Sequence, residues 1–516
     1  MDYSKSVGLN PSYNTFDLSH DKRLTLKMGE IIPVMAVDVL PGDKFTVETS
    51  HLTRFMPLVA PVMHNVKVKV RYFFSPNRLV WDQWEDFITG PESATDTVEP
   101  IHPTIITSAE AGSLVDYMGV STDRNDTTRQ VQINALPFAH YQFIYNEYFR
   151  DQNLIDEVDY KLNDGLNSGS KLTSLKTKRK VAWKHDRFTA SLPFTQKGPE
   201  VTLPVISSNT PVSWDWVSTD MYKDAQGNTV NNIQQITSNQ GGFTIAQPQN
   251  QGVSLDNSAN LYLDPNNFNS ATINQLREAF AIQKWLELNA RSGNRYTEHI
   301  QAHFGVTPQD SRLQRPEEFG GSTSVIQFSE VLQTSETDQN GTALGTMGGH
   351  GLTASGSRQS SYYAQEHGWI FAFMYVVPDT GYYQGVPKKF DKIDRYDYFQ
   401  PLLAHLGEQP VKMKELYATG SQSNDNQTFG YLPIYDEYRH ETNGVHGLLK
   451  TNQLEHWHLA RKFANAPQLN EDFISCNPSD RIFVDISGEE EAIIAHVHND
   501  LEVGRKVPYY GTPMGI

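Results

Sequence analysis

Hydrophobic and polar positions alternate most strictly in NVKVKVRYFF. Val66, Val68, Val70 and Tyr72 fall on one side, and Lys67, Lys69 and Arg71 on the other. A period of two marks a strand with one buried face. The stretch after Leu40-Pro41-Gly42-Asp43 alternates in the same way through Phe45, Val47 and Thr49. SVIQFSEVL (Ser324–Leu332), GWIFAFMYVV (Gly368–Val377) and EAIIAHVHNDL from Glu491 also read as strands; the second has almost no polar residue and is expected to be buried on both faces. A short strand is expected near Arg187–Leu192, and a mixed segment at Leu432–Tyr438.

Helical spacing is concentrated elsewhere. Residues 271–321 carry Ile273, Leu276, Ala279, Phe280, Leu286 and Ala290 on one face, with Ile282, Trp285 and Leu288 off it. Thr272 and Gln275 form a candidate capping box, and Gly293 suits the C-terminal cap. This region is expected to be a buried helical strut, with a second helix from Thr297 to Phe304 closed by Gly305. Trp81, Trp84 and Phe87 suggest a helical turn or two. Pro137–Arg150 and Asn452–Phe463 also read as helical. Residues 1–40 read as an N-terminal arm, 91–130 as loop and Gly341–Gly356 as a glycine-rich loop. Strands separated by long connections, without regular βα alternation, predict a mainly β fold: an antiparallel jelly-roll β-sandwich with long insertions containing several helices.

Composition sharpens this picture at one place. Residues 205–270 contain one lysine, Lys223, and no arginine, histidine or glutamate. Asn and Gln dominate, and Trp214, Trp216, Tyr222 and Phe243 are scattered through it. It reads as an ordered surface insertion. The whole chain has 516 residues, a formal charge of −17 and 38% hydrophobic residues. Its acidity works against whole-surface binding to nucleic acid. The lone cysteine, Cys476, excludes an internal disulfide framework and any multi-cysteine zinc site. No secretory signal is visible, and no apolar run approaches the length of a membrane span, so no membrane insertion is expected.

Little of the sequence looks like a reaction centre. His299 and His303 are spaced i, i+4, but the zincin order is absent. His456/His458 and His496/His498 are pairs without a third ligand. Cys476 lacks any recognisable activating partner, and no phosphate-binding glycine loop occurs. No catalytic residue, metal or cofactor is expected. Lys171–Arg187 stands apart, with seven lysines and arginines against the single acid Asp186. Lys176, Lys178, Arg179, Lys180, Lys184 and Arg187 surround Trp183. Cations around one stacking aromatic form a candidate single-strand nucleic-acid interface.

Ten ordered segments carry a family likeness: FDLSH, VLPGDKF, FFSPNRLVWDQWEDFITG, NQLREAFAIQKWLE, ARSGNRYTEHIQAHFGV, RLQRPEEFGG, EHGWIFAF, RYDYFQPLLAHLGEQPVKMKELY, FGYLPIYDEYR and WHLARKF. Together they resemble the major capsid proteins of microviruses, the small icosahedral single-stranded DNA bacteriophages, in the gokushovirus branch. Ser292 and Glu318-Phe319 depart from the family pattern. The resemblance implies an eight-stranded jelly roll in one capsid domain, self-assembled as a homo-oligomer into a T=1 shell around packaged circular single-stranded DNA. It implies a virion capsid location after assembly in the host bacterial cytoplasm. The implied partners are a small basic DNA-binding protein, an internal scaffolding protein, a pilot protein and a bacterial cell-surface receptor. Residues 205–270 would then be the variable threefold spike. Arg295, Arg312 and Arg315 are expected to anchor contacts within or between subunits. A carbohydrate-binding or carbohydrate-active β-sandwich is the alternative from another class.

Overall fold

The computed structural model describes residues 13–90, 99–120, 129–199, 201, 273–293, 295–334, 345–484 and 491–509, together with the backbone of six short strands between residues 212 and 263. The chain divides into two compact units, residues 196–289 and the remainder.

The larger unit is mainly β, built on two antiparallel sheets. One has the order Glu317–Val325, Val66–Pro76, Gly368–Pro378, Ile32–Val39. In the other, Ile493–Arg505 pairs with Asn14–Asp17 and His20–Leu26 on one side and with Lys44–Phe55 on the other. Lys44–Phe55 also pairs with Met347–Gly356, and that strand with Gln327–Leu332; Ser360–Tyr363 adds to Lys44–Phe55. The sheets share one hydrophobic core, as a β-sandwich requires. Val66, Val68, Val70, Ile370, Ala372 and Met374 come from the first, and Phe45, Val47, Ala495, Val497 and Leu501 from the second.

The four-stranded sheet has a second core on its other face. Phe73, Phe371 and Phe373 pack there with the helix Leu136–Ile144, every residue of which is buried. Asn134 accepts the Leu136 amide at 2.8 Å, capping the helix start, and Pro137 occupies its first turn. Alternate residues of Gly368–Pro378 therefore serve two cores, which explains its lack of polar positions.

Several expectations change. Residues 14–39 are not an arm: they contribute strands to both sheets. Residues 91–130 include the strand Thr104–Thr107 and the short helix Leu114–Tyr117. Met347–Gly356 is a strand rather than loop; a Cβ on Gly349 would meet the Ala60 carbonyl oxygen at 2.3 Å, so glycine permits the close approach. Ser324–Leu332 is two strands, and the chain changes sheets at buried Ile326. No strand forms at Arg187–Leu192 beyond an isolated bridge from Leu192 to Tyr431. Asn452–Phe463 is not helical apart from one turn at Glu455–Trp457. The Arg481 guanidinium donates to the carbonyls of Glu455 (2.9 Å), His458 (2.8 Å) and Ala460 (2.7 Å), satisfying acceptors that a helix would have paired.

The helix Ile273–Ser292 forms as expected, and Gly293 has the positive φ of a C-terminal cap. Among the described residues nothing covers it as a buried strut would be covered. Phe280, Ile282, Trp285 and Leu288 are exposed, and Ala290 is its one buried residue. Thr272 of the expected capping box lies outside the described residues. The second helix spans Tyr296–Phe304 and ends at left-handed Gly305.

Candidate nucleic-acid interface

The basic stretch begins on the helix Ser170–Lys176 and continues as extended backbone threaded between two segments. Ile31 donates to the Arg179 carbonyl (2.9 Å), Val181 to Gly29 (2.8 Å), Cys476 to Val181 (2.8 Å) and Trp183 to Ile474 (2.9 Å). Extended backbone alternates its side chains, so Val181 and Trp183 point inward and Lys184 outward. Trp183 is 4% exposed, with the Arg461 guanidinium 5.2 Å from its ring. It is a core residue and presents no face for base stacking.

Most cations of the stretch are already partnered. The Lys178 ammonium lies 2.7 Å from Glu30 and 3.5 Å from Glu491. Arg179 donates to Gln142 at 2.8 Å and to the Ser174 carbonyl at 3.2 Å, and burial lowers its pKa. Lys180 donates to Asn477 at 2.8 Å. Arg187 is buried between Glu415 (2.7 Å) and Asp436 (3.0 Å). Such a buried triad is a structural tie. Lys176 and Lys184 make no ion pair among the described residues, and Lys184 is exposed.

Lys184 opens into a cleft of about 1220 Å³ whose lining includes Lys69, Tyr375, Asp379, Arg291 and Arg439. The floor is the outer face of the four-stranded sheet. Phe371 sits opposite Phe73, then Phe373 opposite Arg71, and Tyr375 opposite Lys69. One sheet face thus passes from aromatic core to basic floor. Lys67 is tied to Asp379 (2.7 Å) and Arg71 to Glu318 (3.1 Å). Lys69 has no ion pair among the described residues, and its ammonium lies 5.9 Å from the Tyr375 ring centre. Burial and the positive neighbours Arg71, Lys67 and Lys184 lower its pKa. Several acids of the cleft are paired with cations: Asp436 with Arg187, Glu408 with Arg291 (2.5 Å) and Glu298 with Arg295 (3.4 Å), while Asp151 and Asp186 accept backbone amides. Lys69 and Lys184 are left facing a groove beside an aromatic ring. Sequence reasoning missed Lys69 and Tyr375. The available signal was three cations on one strand face, too many for a sheet face that is covered elsewhere.

Two of the three expected anchor arginines hold the chain to itself. Arg295 donates to the carbonyls of Asn146 (2.6 Å) and Arg150 (3.2 Å), capping the helical segment that follows Leu136. Arg315 donates to Thr297 (3.1 Å) and the Glu147 carbonyl (3.3 Å), and covers the Tyr148 ring at 4.7 Å. Arg312 is exposed. In the insertion, Val212–Trp214 pairs with Leu261–Leu263, Tyr222–Lys223 with Ser254–Leu255, and Gln235–Asn239 with Gly242–Ala246. These pairings are nested, so the chain runs out and returns along itself. Trp214, Tyr222 and Phe243 lie on these strands; Trp216 lies outside the described residues.

The remaining candidates make no reaction centre. His496 and His498 both face Asp21, at 3.5 and 2.6 Å. The His299 and His303 ring centres lie 4.2 Å apart, with the rings tilted by 37°. Buried His458 contacts the Leu449 carbonyl and accepts the Ala460 amide. No group of three potential metal ligands occurs among the described residues. Cys476 is buried, which pushes its thiol pKa far up. No helix among the described residues is long and apolar enough to cross a membrane.

The sequence model of the family described as Capsid protein (F protein) matches residues 10–515. The chain is 34% identical to capsid protein VP1 of Bdellovibrio phage phiMH2K, over 99% of this chain and 97% of that one. It is 32% identical to capsid protein VP1 of Chlamydia phage 1, over 97% and 95%. The VP1 capsid protein of Spiroplasma virus 4 is 30% identical, over 92% and 89%.

Proposed function

Because this chain belongs to the Capsid protein (F protein) family, a family of structural proteins and not enzymes, we propose that it closes a T=1 icosahedral shell around a circular single-stranded DNA genome. The observation that carries this reading is the end-to-end match to capsid proteins, which displaces the carbohydrate-active alternative. Strand order supports a jelly roll. Number the eight long strands in chain order from His20–Leu26, taking Met347–Gly356 as the sixth. The sheets then read 1-8-3-6 and 2-7-4-5, a pattern of two interlocked Greek keys. The virion would be its location and the host bacterial cytoplasm its place of assembly. Scaffolding, pilot and small basic DNA-binding proteins would be its partners there. Expression with the scaffold should yield uniform particles by electron microscopy, with nuclease-protected DNA in the presence of the genome. A chain that stays monomeric at every concentration and salt would sink the reading.

Lys69 and Lys184, beside Tyr375, are the groups best placed to meet packaged DNA, with Lys176 and Lys180 as flanking cations. Phosphate neutralisation needs unpaired cations, which the buried Arg187 and the ion-paired Lys178 no longer supply. Changing Lys69 and Lys184 together to Gln should lower DNA per particle while leaving shells intact; unchanged DNA content would remove this interface. The nested strands of 205–270 suit a protruding receptor-binding element. Deleting residues 205–269 should spare particles and abolish attachment to host cells. Loss of folding instead would make the insertion part of the framework.

A further inference from the structure

The segment 386–406 is turned inside out. It is built from three short turns, Lys388–Phe390, Arg395–Asp397 and Pro401–Leu403. Asp391, Lys388 and Lys392 point inward, while Lys389, Asp394 and Arg395 are exposed. The Asp391 carboxylate, 2% exposed, receives Lys412 at 2.9 Å, with Lys414 and Lys388 also on it. Buried Lys392 lies 3.0 Å from Glu437 and 3.7 Å from the centre of the Tyr438 ring. Asp397 accepts the amides of Ile393 (2.9 Å) and Asp394 (2.8 Å). These bonds fix the orientation of the backbone, and they send the large apolar side chains outward. Leu402 is 94% exposed, Ile393 88% and Phe390 72%, with Tyr396, Phe399 and Leu406 at least half exposed.

We propose that this face is a subunit interface and that its occupant is a second copy of this chain. The inference rests on the capsid reading and names the surface through which copies meet. Two observations carry it. The first is area: six large side chains between Phe390 and Leu406 together expose on the order of 800 Å², close to one partner's share of a standard stable interface. The second is charge. Each copy carries −17, so copies repel at long range and gain by meeting where ionic groups are already neutralised. Lys392, Asp391 and Glu437 are neutralised beneath the face, and of its exposed charges Lys389 pairs with Glu441 at 2.8 Å while Asp394 and Arg395 are adjacent and opposite in sign. A cationic partner would instead be drawn to the acidic surface.

The buried Cys476 makes an added thiol a clean reporter. Leu402→Cys and Ile393→Cys are each treated with a maleimide in the unassembled chain and in particles. Both thiols should react at least tenfold more slowly in particles. A benzophenone maleimide placed on a minority of Leu402→Cys chains before assembly should give, on irradiation, an adduct of twice the chain mass. The double change Ile393→Asp with Leu402→Asp should leave the far-ultraviolet circular dichroism unchanged and abolish particles. Thiols equally reactive in both states, or an adduct with a different protein, would overturn the proposal while leaving the capsid reading intact. If the unaltered chain forms no particles, both fall together.

Discussion

The strand Gly368–Pro378 and the segment 386–406 lie close together in sequence and are both rich in large apolar residues. Their fates in the folded chain are opposite. Phe371, Phe373 and Met374 have no measurable exposure, whereas Leu402 and Ile393 are almost fully open. The strand is covered because its alternate residues meet two cores laid down by the same chain. The segment is uncovered because Asp391, Lys392 and Asp397 spend its inward positions on charge pairing and turn closure. An apolar side chain specifies that it be covered, not which molecule covers it. In a chain made for a shell, part of that coverage comes from neighbours.

The contrast can be broken most forcefully in the strand. Phe373→Ala should cost about 3–5 kcal/mol, through lost burial and a residual cavity between Phe73 and Tyr141. Arg187→Ala should cost a similar amount, about 3–5 kcal/mol, by stranding Glu415 and Asp436 as buried unpaired charges. Denaturant unfolding of the unassembled chain measures both; a loss below 1 kcal/mol in either would mean that the site relaxes freely.

Acid should produce the next largest effect, again confined to the framework. Buried His140 contacts Ser75 (2.7 Å) and Asn77 (2.9 Å), and burial lowers its pKa to about 3. The Asn77 side-chain oxygen can only accept, so His140 Nε2 donates and Nδ1 accepts the Ser75 hydroxyl. His51 bridges the sheets to Ser324 at 3.2 Å, and burial lowers its pKa to about 4. Neutral forms are held in the fold, so unfolding takes up protons once the pH drops below 6.5. Stability is full above that pH and falls progressively toward the folded values. Each histidine should cost roughly 3 kcal/mol by pH 4. Unfolding midpoints flat between pH 7 and 4.5 would contradict this. The smallest effect belongs to the segment: Leu402→Ala should change the stability of the unassembled chain by less than about 0.5 kcal/mol, even though it sits in the face proposed to close the shell.

The strands were legible where one element stayed in one sheet along its whole length. The alternation at 66–72 and the apolar run at 368–377 reported their partners through periodicity alone. The segment 324–332 misled because a single residue, Ile326, carries the chain between sheets without any turn signal. The glycines at 348, 349 and 351 imitated a loop, although Gly349 serves a close approach to the Ala60 carbonyl and Gly351 leaves room for the Phe328 ring. The helical look of 452–463 failed because Arg481, distant in sequence, takes its carbonyls. The basic stretch was half legible. Its composition placed cations near a groove, but the acids that neutralise Lys178 and Arg187 come from residues 30, 415, 436 and 491, and pairings of that span leave no local trace. Lys69 became visible only when Tyr375 and Lys184 were brought beside it.

The pairing of Asn14 with Arg505 and of His20 with Asn499 has a consequence for manufacture. The strand between them and Lys44–Phe55 is synthesised after all three of its partners. At 5–20 residues per second, roughly 25–100 s pass between synthesis of the first strand and its partner. Until then one sheet lacks its middle, and its exposed edges are open to the wrong neighbours. Chains abandoned before residue 493 cannot complete that sheet, and Asn14–Asp17 and His20–Leu26 are left without the strand that ties them to Lys44–Phe55.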